Sequence, residues 1–314
     1  ILRILRAAEE LGKCRIEEIS GYAEQIRKHA AVFRGVRRKS VTLTSEKGVD
    51  ATGISALTAY LNTFFMLDFI QFYSVIRKLK GRQEDMNALM ENFGILDSAI
   101  AIASYRAYLP VYCKPEFTQT AWDGAVRLRA EDLYHPLITN PVANSIDAEG
   151  GVLLTGSNAS GKSTFLKTVA INAILAQSIY TCAATSYRCA MVKVMTSMAL
   201  RDDVQGGECY YIGEIKSLKR ILAEVEKGEP LLCIIDEVLR GTNTIERIAA
   251  SSRILASLRR ENVLPFAATH DIELTSILDG IYQNYHFTEE ITDKDIRFNY
   301  LLQKGRAVSR NAIT

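Results

Sequence analysis

This sequence of 314 residues has no C-x-x-C pair, no uninterrupted long apolar run and no excess of one charge sign. Its six cysteines are Cys14, Cys113, Cys182, Cys189, Cys209 and Cys233, and they do not cluster with the four histidines at zinc-ligand spacing. They are read as reduced thiols of a cytoplasmic protein. The net charge of +2 excludes any global electrostatic claim on nucleic acid. The most apolar stretch, Leu57 to Ile76, is interrupted by Asn62, Asp68 and Gln71. It reads as a buried helix rather than a membrane span, and no membrane segment is expected in this chain. No signal peptide, internal repeat or low-complexity tract is visible. Residue 1 is Ile rather than Met, so a fragment of a longer chain is one expectation.

Local charge is more informative. Arg34 to Lys39 is the densest basic cluster. It reads either as a solvated face and turn or as a contact for phosphates or an anionic surface.

Apolar periodicity predicts a helix over 1–32 and two long helices over 54–80 and 84–109, broken near Lys80-Gly81-Arg82. Met and aromatic residues in this hairpin read as core. Ser40 to Thr44 alternates as a short strand, and Pro110 and Pro115 end the helical region. The pattern then changes. Strands are expected at Phe117–Thr120, Ala125–Arg129, Val152–Thr155, Leu231–Ile235, Pro265–Thr269 and Ile296–Leu302. Helices are expected at Gly161–Gln177, Glu246–Arg260 and Ile272–Leu278. Strands alternating with helices define an α/β domain with a mostly parallel sheet. The expected division is a helical domain over 1–115 and an α/β domain over 116–314.

Between the strand at Val152 and the helix at Gly161 lies a complete G-x-x-x-x-G-K-[ST] pattern, carried by Gly156, Gly161, Lys162 and Ser163. Its remaining residues are Ser157, Asn158, Ala159 and Ser160, with Thr164 following. Glycines let the backbone turn close to an anion. Successive N–H groups and the helix N-terminus then face phosphate. Lys162 is expected at the β- and γ-phosphates of ATP, and Ser163 at Mg²⁺.

Leu231 to Ile235 is fully apolar and runs into Asp236 and Glu237. At the end of a parallel strand beside the phosphate loop, Asp236 suits Mg²⁺ held through water. Glu237 is then placed as the general base for water. A third apolar strand ends in Thr269-His270, which reads as a γ-phosphate sensor or as a satisfied histidine at a strand end.

Together these residues resemble the MutS family of mismatch-repair ATPases. Thr155 to Thr164 looks like the family's phosphate loop, with Asn158 in its place. Asp236-Glu237-Val238-Leu239-Arg240-Gly241-Thr242-Asn243-Thr244 resembles its extended Asp-Glu motif. Thr269-His270 with Glu273-Leu274 resembles its switch-histidine segment. Leu96-Asp97, Pro115-Glu116-Phe117 and His135-Pro136 resemble the passage from lever helices into the ATPase domain. The resemblance covers roughly residues 95–310. It implies an ABC-type P-loop fold, ATP and Mg²⁺, and a homodimer in which each site is completed by its partner. The trans-acting signature would then fall within Asp202–Tyr211, with Gly207 and Cys209, and would extend to Glu214. Cys209 stands where the family usually has Ser, and a thiol is a poorer hydrogen-bond donor than a hydroxyl. Adenine contacts are implied from the segment Leu137-Ile138-Thr139-Asn140-Pro141, with Leu137 where the family commonly has an aromatic, and from Tyr300 in the last strand; Tyr300 reads equally as a surface strand tyrosine.

DNA and a repair partner protein are the implied partners. The family's mismatch-reading Phe-x-Glu wedge is not found. A non-repair member of the same family, recruited by an unseen N-terminal module, therefore stays open. An ABC-transporter motor subunit is the remaining alternative. It predicts a Leu-Ser-Gly-Gly-Gln signature, which Gly206-Gly207 only echoes.

Overall fold

The structure is a computed structural model that describes residues 2–33, 64–118, 126–157, 159–198, 210–239, 243–292 and 295–307. The basic run at 34–39, the short strand expected at 40–44, Asn158, Gly207 and Cys209 lie outside the described residues. The chain divides into two compact units, Ile1–Tyr105 and Arg106–Thr314.

In the first unit the described helices are α1 (Leu2–Leu11), α2 (Ser20–Val32), α3 (Leu67–Leu79) and α4 (Gln83–Tyr108). The single helix expected over 1–32 is two. The chain turns after Leu11, where Lys13 and Cys14 N–H groups bond back three residues to Glu10 and Leu11 carbonyls. A short 3-10 turn, Glu17–Ile19, then leads into α2. Leu5, Ala8, Ile26, Ala30, Phe33, Leu89 and Leu96 form the core here. The expectation of a buried helix at Leu57–Ile76 is corrected over its described part. In α3, Phe69, Ile70, Phe72 and Tyr73 are all exposed, and among the described residues of that helix only Leu79 packs on the core cluster.

The second unit carries two sheets. One has four strands in the order β1-β5-β2-β3, built from β1 (Glu116–Thr118), β2 (Leu128–Leu133), β3 (Asn144–Ala148) and β5 (Ser186–Ala190). The other has six in the order β10-β9-β4-β8-β7-β6. Its members are β4 (Gly151–Thr155), β6 (Lys193–Ser197), β7 (Leu231–Asp236), β8 (Val263–Ala268), β9 (Tyr282–Thr292) and β10 (Asp295–Lys304). All neighbours in it are parallel except β9 and β10, which form an antiparallel pair.

Four helices serve these sheets: α5 (Lys162–Ile179), α6 (Tyr210–Val225), α7 (Thr244–Ser257) and the short α8 (Glu273–Ile277). Every residue of β4, β7 and β8 is buried, as expected for central strands covered on both faces. One face packs Leu166, Val169 and Ala173 of α5 with Val152, Leu154 and Phe266. The other packs Leu218 and Ile221 of α6 and Leu255 of α7 with Leu153, Cys233 and Ile235. This is a mixed α/β fold with a mainly parallel central sheet. Among the described residues, no helix is long and apolar enough to cross a membrane.

Candidate nucleotide site

Register brings the site together. Leu154 of β4 pairs with Ala268 of β8, and Ala268 pairs with Asp236 of β7. Three parallel strands thus end level, and the loops leaving them share one edge of the sheet. Adjacent strands lie about 4.8 Å apart, so Asp236 stands roughly 10 Å across the sheet from the start of the phosphate loop. Two backbone bonds lace these ends: Thr269 N–H donates to Leu154 O, and Glu237 N–H donates to Ala268 O, each at 2.9 Å.

The loop itself is a cradle. Gly156 and Gly161 have φ of 146° and 108°, which L side chains rarely adopt. A Cβ on Gly156 would come within 2.8 Å of Ser160 Oγ and 3.1 Å of Phe287 O. Ser160 Oγ is buried and has no hydrogen-bond partner among the described residues. An orphaned buried hydroxyl costs free energy unless something bonds it, so the loop is built to receive a polar group. Lys162 is buried, and its ammonium donates to Gly156 O at 2.6 Å and Ser157 O at 2.7 Å. It thus holds the loop's own carbonyls at the spot where an anion would compete for it. Ser157 Oγ is tied to Glu289 Oε2 at 2.8 Å. Ser163 and Thr164 open α5 on the cleft side.

A cleft of about 550 Å³ lies over this loop. Glu237 and Tyr300 both line it. Of the segment expected at the adenine, Ile138, Thr139, Asn140 and Pro141 line the cleft, with Val142 following. Leu137 is 81% exposed, and its N–H donates to His135 Nδ1 at 3.3 Å. Burial and the charge of Lys167 hold His135, another lining residue, below the usual histidine range.

Tyr300 does reach the loop. A Cβ on Gly161 would lie 3.2 Å from its ring. Tyr300 occupies an irregularity of β10 between Phe298 and Leu302, with φ of 57°. Asn144 holds that bend: its Nδ2 donates to Tyr300 O at 3.0 Å, and Leu302 N–H donates to its Oδ1 at 2.6 Å.

Glu237 also has a left-handed backbone, with φ of 61°, and Leu239 follows at 59°. Each costs about 1–2 kcal/mol, so neighbours must hold them. Glu214, expected in the trans signature, is buried in its own chain, and its Oε1 accepts the Leu239 N–H. That places it behind the Glu237 loop. His270 is 43% exposed, with Nδ1 3.4 Å from Glu237 Oε1 and Nε2 3.8 Å from Asp271 Oδ1. Asp271 in turn accepts from Arg247 Nε and Nη2, at 2.8 and 2.6 Å. Its N–H donates to Thr269 Oγ1 at 3.0 Å.

Sequence reasoning missed Asn144, Glu289, Arg247 and Asp271. Only Asp271, adjacent to His270, had a signal in its position. Asn144 and Glu289 meet partners more than 130 residues away.

A mainly parallel sheet that carries a glycine loop, an Asp-Glu strand end and a histidine on one edge, with the loop and Glu237 lining one cleft, is the arrangement of a P-loop ATPase domain. The model for MutS domain V matches residues 152–313. The chain belongs to the MutS family. It is similar to MutS protein homolog 4 of Mus musculus, with 31% identity over 242 residues, covering 71% of this chain and 24% of that protein. It is also similar to the DNA mismatch repair protein MutS 2 of Haloarcula marismortui, with 29% identity covering 77% of this chain and 28% of the relative. DNA mismatch repair protein MutS of Thermotoga maritima is 29% identical, covering 66% and 26%. The chain thus spans about a quarter of the length of these curated relatives.

Proposed function

We propose that this chain binds ATP with Mg²⁺, hydrolyses it, and works as a nucleotide-switched homodimer on DNA, together with a repair partner protein. The level ends of β4, β8 and β7 support the reading, because the loops that carry Lys162, Glu237 and His270 and the strand end at Asp236 leave one edge of the sheet. The buried, unpartnered Ser160 hydroxyl supports a bound polar group there. Ser163 and Asp236 would hold Mg²⁺, which supplies charge neutralisation at the phosphates.

The remaining chemistry belongs to side chains. Lys162 exchanges its loop carbonyls for phosphate oxygens. Tyr300 covers the base with its ring, and the Ile138–Val142 segment walls the cleft. Glu237 takes the proton of the attacking water, a role worth roughly 10²–10⁴-fold. His270 sits between Glu237 and Asp271, where it senses the terminal phosphate. Residues 1–115 act as the helical lever-like part and 116–314 as the ATPase domain. Gly207 and Cys209 are assigned to the partner's site.

Mismatch repair is favoured by the printed names of the relatives from Haloarcula marismortui and Thermotoga maritima. Titrating homoduplex, mismatched and branched DNA across a salt series, with and without ATP, tests the DNA half. Binding that weakens with salt is expected. No binding at low salt in any nucleotide state rejects it. Lys162→Ala tests the ATP half and is expected to weaken nucleotide binding; unchanged affinity rejects it.

A further inference from the structure

Cys113 and Cys182 face each other in an isolated antiparallel bridge outside the two sheets. Each N–H donates to the other's carbonyl at 3.0 Å. In such a mutually bonded pair the Cα atoms stand about 5.5 Å apart and the side chains leave on one face. Disulfides require Cα separations of about 4.4–6.8 Å. Neither cysteine is in a disulfide, and the Cys182 thiol donates to Asn172 O at 3.8 Å.

The bridge joins two consequential places. Cys113 follows the end of α4, and Cys182 follows the end of α5, whose first turn is the phosphate loop. Arg106, in the last turn of α4, binds the same end of α5. Its Nε donates to Thr181 Oγ1 at 2.9 Å, and its guanidinium also reaches the Ile179 and Tyr180 carbonyls at 3.3 and 3.1 Å. Next to Cys182, Ala183 N–H donates at 2.7 Å to Asn172 Oδ1, a buried residue of α5.

We propose that Cys113 and Cys182 form a thiol–disulfide site, closed by a low-molecular-weight disulfide such as oxidised glutathione into an intrachain bond that ties the segment after α4 to the end of the phosphate-loop helix. The two thiols are unequal. Cys113 is part-exposed, and the neighbouring Cys182 side chain holds it below the usual thiol range. Cys182 is fully buried, and the adjacent Cys113 thiol together with burial pushes it far up. The Cys113 thiolate therefore attacks first. Its Sγ bonds to one sulfur of oxidised glutathione, and the S–S electron pair leaves with a glutathione thiolate. Cys182 then gives its proton to that thiolate or to water, and its Sγ attacks Cys113 Sγ. The second glutathione leaves. Two protein thiols are oxidised, and one disulfide is reduced to two thiols.

Cys189 and Cys233 do not compete. Both are buried, and desolvation pushes each up to about 12.

The test uses the native full chain in oxidised glutathione, quenched with acid, alkylated and mapped by peptide mass spectrometry. A Cys113–Cys182 crosslinked peptide is expected, reversed by dithiothreitol. Cys113→Ser is expected to lower disulfide formation at Cys182 by at least about tenfold, since the attacking thiolate is gone. In Cys182→Ala, glutathione is expected to stay on Cys113. Two results overturn the proposal: both thiols remaining free in the wild-type chain, or glutathione persisting on wild-type Cys113 without the crosslink. The readout needs no nucleotide, so failure of the ATPase reading leaves it standing. A second arm rests on that reading: the oxidised chain is expected to turn over ATP more slowly than the reduced chain, with Cys113→Ser unaffected by oxidant.

Discussion

Glu214 accepts a hydrogen bond from the backbone N–H of Leu239, two residues beyond Glu237. It buttresses from α6 a loop whose backbone is left-handed at both Glu237 and Leu239. Glu214→Ala leaves that N–H without its charged acceptor, a loss of about 1.5–3 kcal/mol. If the loop relaxes, Glu237 leaves its position over the cleft. Steady-state kinetics are expected to show kcat down roughly tenfold or more, with ATP affinity nearly unchanged, because one pKa-sized step of 1.4 kcal/mol is a factor of ten. Glu214→Gln, which keeps an acceptor, is expected to fall between.

Asn144 shapes the other wall. By bonding Tyr300 O and Leu302 N–H it holds the bend that carries the Tyr300 ring over Gly161. Asn144→Ala is expected to raise the Kd for ATP about five- to tenfold, in line with one or two lost hydrogen bonds at about 1 kcal/mol each. Tyr300→Phe is expected to bind like the parent and Tyr300→Ala to bind like Asn144→Ala. Calorimetric titration reads all three.

Arg247 and Asp271 form a nearly buried two-point ion pair. Removing one partner strands the other charge, which costs about 3–5 kcal/mol. Asp271→Asn is therefore expected to lower Tm clearly. It also removes the carboxylate beside His270 Nε2, so phosphate sensing should weaken in the variant that remains folded. A chemical-denaturation midpoint equal to the parent's would reject the structural half.

His135 gives a pH dependence. Its folded-state pKa lies below 6.5, because burial and Lys167 both oppose the charged ring. Its Nδ1 also accepts the Leu137 N–H, a bond that protonation there would abolish. Below pH 6.5 the unfolded chain binds more protons, so stability falls as pH falls. The contribution is fully present above 6.5 and is lost as pH drops through the folded value. Thermal melts between pH 5 and pH 8 are expected to show this loss, and His135→Gln is expected to flatten it.

How far the sequence announced this molecule depends on burial and contact range. Strands β4, β7 and β8 were readable because every residue is buried and apolar runs follow from that. The loops at their ends were readable because each stands next to its strand. Strands β3, β5 and β6 escaped notice: they are short, with Asn144, Arg188 and Lys193 among their residues. Strand β9, at 11 residues, was hidden by Gln283, Asn284, Glu289 and Glu290. No local pattern marks the clamp of Asn144 on Tyr300, because the pair becomes neighbours only when β10 folds beside β3.

The hydrolytic role of Glu237 is tested most directly by single-turnover ATP hydrolysis in Glu237→Gln beside the parent chain. The amide keeps the shape of the side chain but cannot take the proton of water. ATP binding is expected to persist while the rate of phosphate formation falls about 10²–10⁴-fold. Phosphate formation at the parent rate would contradict the assignment of Glu237 as the base.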